Sequence, residues 1–293
     1  MPRLPTLIVQ FALSALLAIC PLFAAFAQQQ QASECLAVAQ RLPGVTYASF
    51  GKGERSDAVL RTARAAAKSS VTITYVGHST YQIETPADVV IATDYNGVYR
   101  PPRLPTVVTM NRAHTTHYTL TPDPRINHVL HGWADDGSAA KHAVTIGDVY
   151  IRNVTTDIRN FRYYGFGRGD LDLPMQKDGN SIFIFEVAGL CIGHLGHLHH
   201  KLDESHIAAI GRLDVLMVPV DDSVTMTIDG MAEIVKRLRA SIVLPMHRLG
   251  TPLSDFIGRV RGQFEVDQRL ERSFPVSIDT LPKAPTVVIL DGV

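Results

Sequence analysis

Apolar residues come first in short alternating runs and later at helical spacing. Residues 71–76 (VTITYV) and 80–84 (TYQIE) alternate as half-buried strands do, flanking Gly77-His78-Ser79. After a Pro86-Ala87-Asp88 turn come DVVIATD (88–94) and TVVTM (106–110). INHVLHG (126–132), DVYIRNV (148–154), NSIFIFEV (180–187) and LCIGHLG (190–196) follow, each short enough for a strand. Beyond residue 200 the period changes. DESHIAAIGR (203–212) predicts a helix capped by Asp203, and DVLMVPV (214–220) a buried strand. In TIDGMAEIVKRLR (227–239), Ile228, Met231, Ile234, Val235 and Leu238 recur at helical spacing. SIVLPMH (241–247) then closes a β-α-β unit, LSDFIGRVRGQF (253–264) predicts another helix and TVVIL (286–290) a last strand. Strands followed by mixed β and α describe one domain over residues 71–293.

Upstream of that domain the text differs. Arg3 precedes an apolar stretch from Leu7 to Phe26, and Ala25-Phe26-Ala27 offers a small-x-small cleavage site before Gln28. Residues 1–27 are therefore expected to be a signal peptide and the mature protein to be periplasmic or secreted. The competing expectation is a membrane anchor, since roughly 20 apolar residues span a bilayer. Residues 28–70 form an N-terminal extension with helical spacing in SECLAVAQRL (33–42) and helix formers in SDAVLRTARAAAK (56–68). Cleavage would leave Cys35 and Cys191, either a disulfide or two buried thiols.

Charge narrows the choice of partner. Lys and Arg total 28, Asp and Glu also 28, and no basic run occurs. Nothing favours a nucleic-acid groove or, after signal cleavage, a membrane partner, so a small-molecule substrate is the expectation.

The histidines carry the candidate chemistry. His194, His197, His199 and His200 crowd seven positions of CIGHLGHLHHKL, although the whole chain has only 12 histidines. His114 and His117, three apart, follow one apolar strand, His247 ends another, and His78 sits between the first two. Histidines at four strand ends suggest a convergent cluster for one metal or two neighbouring ones, for which neutral imidazole is a common ligand. An extended chain turns alternate residues to opposite faces, so only one or two of the 194–200 group are expected as ligands.

The order ITYVGHSTYQIE, DVVIATD, NRAHTTH, HLGHL, RLDVLMVPVDD with TID, and IVLPMH resembles the metallo-β-lactamase-fold hydrolases, in particular the branch of the ascorbate-6-phosphate lactonases. The resemblance spans about Val71 to His247. It implies an α+β fold, a four-layer αββα sandwich with a metal site at the shared edge of its sheets, here preceded by a short helical extension. It also exposes departures. The family's His-x-His-x-Asp-His stretch reads Arg112-Ala113-His114-Thr115-Thr116-His117, so the first histidine and the aspartate are gone. Thr156 and Asp157 stand where another ligand histidine usually lies, and His197 replaces the metal-bridging aspartate. The expected ligands are thus His114, His117, His197 and His247, with His194, His199 and His78 as supplementary ligands or supports. They suit one transition-metal ion, zinc first, with iron or manganese as alternatives. Asp94 and Asp157 are the candidate general bases, each with a turn or capping role as the plainer alternative, and Arg112 is a candidate for holding a substrate carboxylate or phosphate. These expectations describe an exported metal-dependent hydrolase acting on an ester, lactone or phosphoester-type bond. The alternative is a non-catalytic metal- or ligand-binding protein on the same fold.

Overall fold

The computed structural model describes residues 33–39, 70–159 and 175–293. The proposed signal segment, the 56–68 helix and the YYGFGRGD loop (163–170) lie outside the described residues.

Two sheets face each other. In the six-stranded sheet, β1 (Val71–Gly77), β2 (Thr80–Glu84), β3 (Val90–Ala92), β4 (Val107–Met110) and β5 (His128–His131) lie in chain order. β13 (Ser273–Val276) pairs antiparallel on the outer side of β1. The eight-stranded sheet runs in the order β12 (Glu265–Gln268), β14 (Thr286–Ile289), β11 (Ile242–Met246), β10 (Val215–Pro219), β9 (Leu190–His194), β8 (Met175–Val187), β7 (Val149–Arg159) and β6 (Ala143–Ile146). β9, β10, β11 and β14 pair in parallel, which explains why VLMVP and IVLPM read as unbroken apolar runs: both faces are covered. Pro245 is tolerated because β14 pairs only with Ile242 and Val243. The proline lies past the end of that ladder, where no N–H is needed.

Between the sheets, Ile73, Tyr81, Ile83 and Ile91 pack against Ile151, Phe183, Phe185, Met217 and Leu244. On the far side of the eight-stranded sheet a second core joins Ile184, Leu216, Val218 and Val243 to the helices α2 (Glu204–Ile210), α3 (Ile228–Leu238) and α4 (Leu253–Val260). α3 buries the residues its periodicity marked, Ile228, Met231, Ile234, Val235 and Leu238. Asp203 caps α2 by accepting the His206 N–H. This is the two-sheet α+β sandwich the resemblance implied. β6, β12 and β13 were not anticipated: they are four-residue strands with at most two buried positions, too short for a period to show.

α1 (Glu34–Ala39) belongs to the extension and is tied to the sandwich. Cys35 and Cys191 form a disulfide across 156 residues, settling the open choice between a bond and two thiols. Ser33 Oγ and the Cys35 amide donate to Glu186, whose carboxylate also accepts from buried Arg152.

Candidate metal centre

The site forms where strands of both sheets end. The β1–β2 turn supplies His78, the segment after β4 supplies His114 and His117, the loop after β9 supplies His197 and His199, and His247 directly follows β11. The His247 amide donates to the His78 carbonyl at 2.8 Å, joining the two sheets at this edge. His78, His114, His117 and His247 each present one ring nitrogen, all within 4.8 Å of one another. His197 adjoins them, its Nε2 3.0 Å from His114 Nε2.

Two imidazoles are aimed by buried carboxylates. His117 Nδ1–H donates to Asp94 Oδ2 at 2.6 Å, and His247 Nδ1–H donates to Asp221 Oδ2 at 2.8 Å. Both histidines are fully buried, and the Nε2 of each has no hydrogen-bond partner. A buried nitrogen lone pair without a partner is costly. Two such atoms, each oriented from behind by a carboxylate, are the arrangement a metal ligand requires. The residues therefore fit a metal ion.

The surrounding groups suit that role. Burial works to raise the Asp94 carboxyl, but the neighbouring His117 and His194, with hydrogen bonds from His117 and Asn111, hold it below the usual range. Burial likewise opposes Asp221, which His247, Thr225 and their hydrogen bonds keep well ionised. Burial, then the neighbouring imidazoles, pushes His78 down to about 3 and His114 to about 4. These rings are thus kept neutral, the form that binds metal. Thr116 bridges His78 Nε2 at 2.9 Å and His114 Nδ1 at 2.7 Å through its hydroxyl.

Other expected site residues have these partners. His194 uses both nitrogens on backbone: Nδ1 accepts from the Gly196 amide and Nε2 donates to the Ser79 carbonyl, so it ties β9 to the β1–β2 turn. Asp157 accepts the Asp178 amide in the β7–β8 ladder and serves as a local pin. Asp94 is committed to His117 and Asn111. Arg112 is exposed, its guanidinium carbon 6.0 Å from the Trp133 ring, on the turn that carries His114. Asp221 was not among the residues expected at the site. Its position at the end of a fully buried parallel strand was the available signal.

A relative from Pelotomaculum thermopropionicum, named UPF0173 metal-dependent hydrolase, is 33% identical over 92 residues, covering 31% of this chain and 40% of that protein. This chain thus spans less than half the length of that relative. A solved structure from Thermotoga maritima, named among Zn-dependent hydrolases of the metallo-β-lactamase superfamily, has a TM-score of 0.53 and 25% identity, covering 75% of this chain and 98% of its own. The Beta-lactamase superfamily domain profile matches residues 72–247, from the first strand to the last clustered histidine. With more than half of its length inside that match, the chain belongs to the metallo-β-lactamase superfamily.

Proposed function

We propose that this protein is an exported metal-dependent hydrolase acting on a small molecule with an ester, lactone or phosphoester-type bond. The observation that carries this reading is the pair of buried, unpartnered Nε2 atoms of His117 and His247 inside a four-histidine cluster. His114, His117 and His247 would hold one transition-metal ion, zinc first. A bound metal would polarise the scissile carbonyl or phosphoryl oxygen and acidify a water molecule. The chain's own groups do the rest. Asp94 and Asp221 fix the rings of His117 and His247, and Thr116 fixes His114. Arg112, beside the cluster in sequence and exposed, captures an anionic group of the substrate. The Cys35–Cys191 disulfide supports an oxidising compartment, in keeping with export. Among the described residues no helix is long and apolar enough to cross a membrane.

Elemental analysis of residues 28–293 tests the reading, followed by assays of lactones, phosphodiesters and β-lactams. About one equivalent of metal, with hydrolysis abolished by His114→Ala, is expected. Absence of metal after zinc, iron and manganese are offered would refute it. Stoichiometric metal without turnover on any of these classes would favour a metal-binding protein on the same fold.

A further inference from the structure

The hydrogen bonds around His197 have a direction, and it differs from that at the other site histidines. The Arg159 backbone amide donates to His199 Nδ1 at 2.5 Å. An amide N–H can only donate, so His199 Nδ1 accepts. A neutral imidazole has one N–H, which in His199 must then be at Nε2, the atom that meets His197 Nδ1. His197 accepts there, so its own hydrogen is at Nε2, pointing at His114 Nε2 3.0 Å away. His117 and His247 are opposite in polarity. Their Nδ1 atoms face carboxylates, which only accept, and this leaves their Nε2 atoms with bare lone pairs directed inward.

We infer that His197 is not a metal ligand but an N–H donor aimed into the metal centre, set in that tautomer by His199 and the Arg159 amide. This departs from the expectation, drawn from sequence position, that His197 binds metal in place of the bridging aspartate. An imidazole nitrogen that carries hydrogen has no lone pair to give. The substitution therefore turns an anionic acceptor into a neutral donor. Such a donor complements an oxygen that gains negative charge during reaction, as a carbonyl or phosphoryl oxygen does. The same chain continues outward. Without metal the His114 Nε2 lone pair accepts the His197 hydrogen, while His114 Nδ1–H donates to Thr116 Oγ1. A metal held by His114 would take that lone pair and leave the His197 N–H facing an oxygen beside the ion.

The inference deepens the proposed function and rests on its metal site, but its test separates the two. Zinc affinity is measured by chelator competition on the purified protein and on His197→Ala, His197→Gln and His247→Ala, with circular dichroism to establish folding. Under this assignment both His197 variants keep one zinc with affinity within about threefold of wild type, while His247→Ala loses at least 100-fold. A loss at His197 equal to that at His247 would make His197 a ligand and overturn the inference. The ¹⁵N spectrum of histidine-labelled, zinc-free protein gives an answer that needs neither metal nor the His197 variants to fold. A hydrogen on His197 Nε2 supports the assignment, and a hydrogen on Nδ1 refutes it. If wild type binds no zinc, the proposed function fails while this spectrum still decides the tautomer.

Discussion

Replacing Asp94 with asparagine is the sharpest perturbation of the site, because it changes charge and one donor while keeping shape. Asp94 is fully buried, accepts from Asn111 Nδ2 at 2.8 Å through Oδ1, and accepts from His117 Nδ1 at 2.6 Å through Oδ2. In Asp94→Asn the amide oxygen can still serve Asn111, and its NH₂ then faces His117. The ring must take its hydrogen to Nε2 and accept at Nδ1, which blocks the nitrogen that points into the cluster. Metal binding would have to reverse that tautomer or break the new contact. Loss of a group behind a ligand histidine weakens metal binding by about 10–100-fold, which is about 1.4–2.7 kcal/mol. A charge-assisted hydrogen bond of about 1.5–3 kcal/mol gives the same scale independently. The expected result is a 10–100-fold weaker zinc affinity by chelator competition, with the far-ultraviolet spectrum unchanged. An affinity within twofold of wild type would show that Asp94 does not set the His117 tautomer and that Nε2 of His117 is not the ligand atom.

Three further outcomes are expected. Reduction of Cys35–Cys191, which closes 156 residues, should lower unfolding free energy by up to about 5 kcal/mol on chain-entropy grounds; a denaturation midpoint unmoved by reductant would place the stabilisation elsewhere. Gly196→Ala should cost roughly 2–4 kcal/mol, since φ is +60° and an added Cβ would lie 2.3 Å from Asn180 Oδ1. That oxygen accepts the His197 amide, so zinc affinity should be measured alongside stability, and an unchanged midpoint would refute the close approach. The metal-free protein should lose stability as pH falls below about 6.5. His78 and His114 are depressed to about 3 and 4 by burial and neighbouring imidazoles, so the unfolded chain takes up protons the folded one refuses. The slope is at most about 1.4 kcal/mol per pH unit for each histidine, less at these partly exposed rings. Asp94 and Asp221, depressed in the fold, add a second loss only below the ordinary carboxylate range. Equal urea midpoints at pH 7 and pH 5 would contradict the first of these losses.

Sequence by itself determined the elements with long or strongly periodic patterns. The α3 stripe, the buried runs of β10 and β11, and the Asp203 cap are local properties, written in spacing and residue type. It also showed that histidines gather at strand ends, because each strand and the residue leaving it are neighbours in the chain. Which nitrogen faces which partner was decided only in three dimensions. The Cys35–Cys191 bond, the Asp94–His117 and Asp221–His247 pairs and the contact of His199 with the Arg159 amide span 156, 23, 26 and 40 residues. Such contacts leave no period to read. An imidazole looks the same in sequence whether a carboxylate or an amide stands behind it. That neighbour decides whether the ring turns a lone pair or an N–H toward the centre.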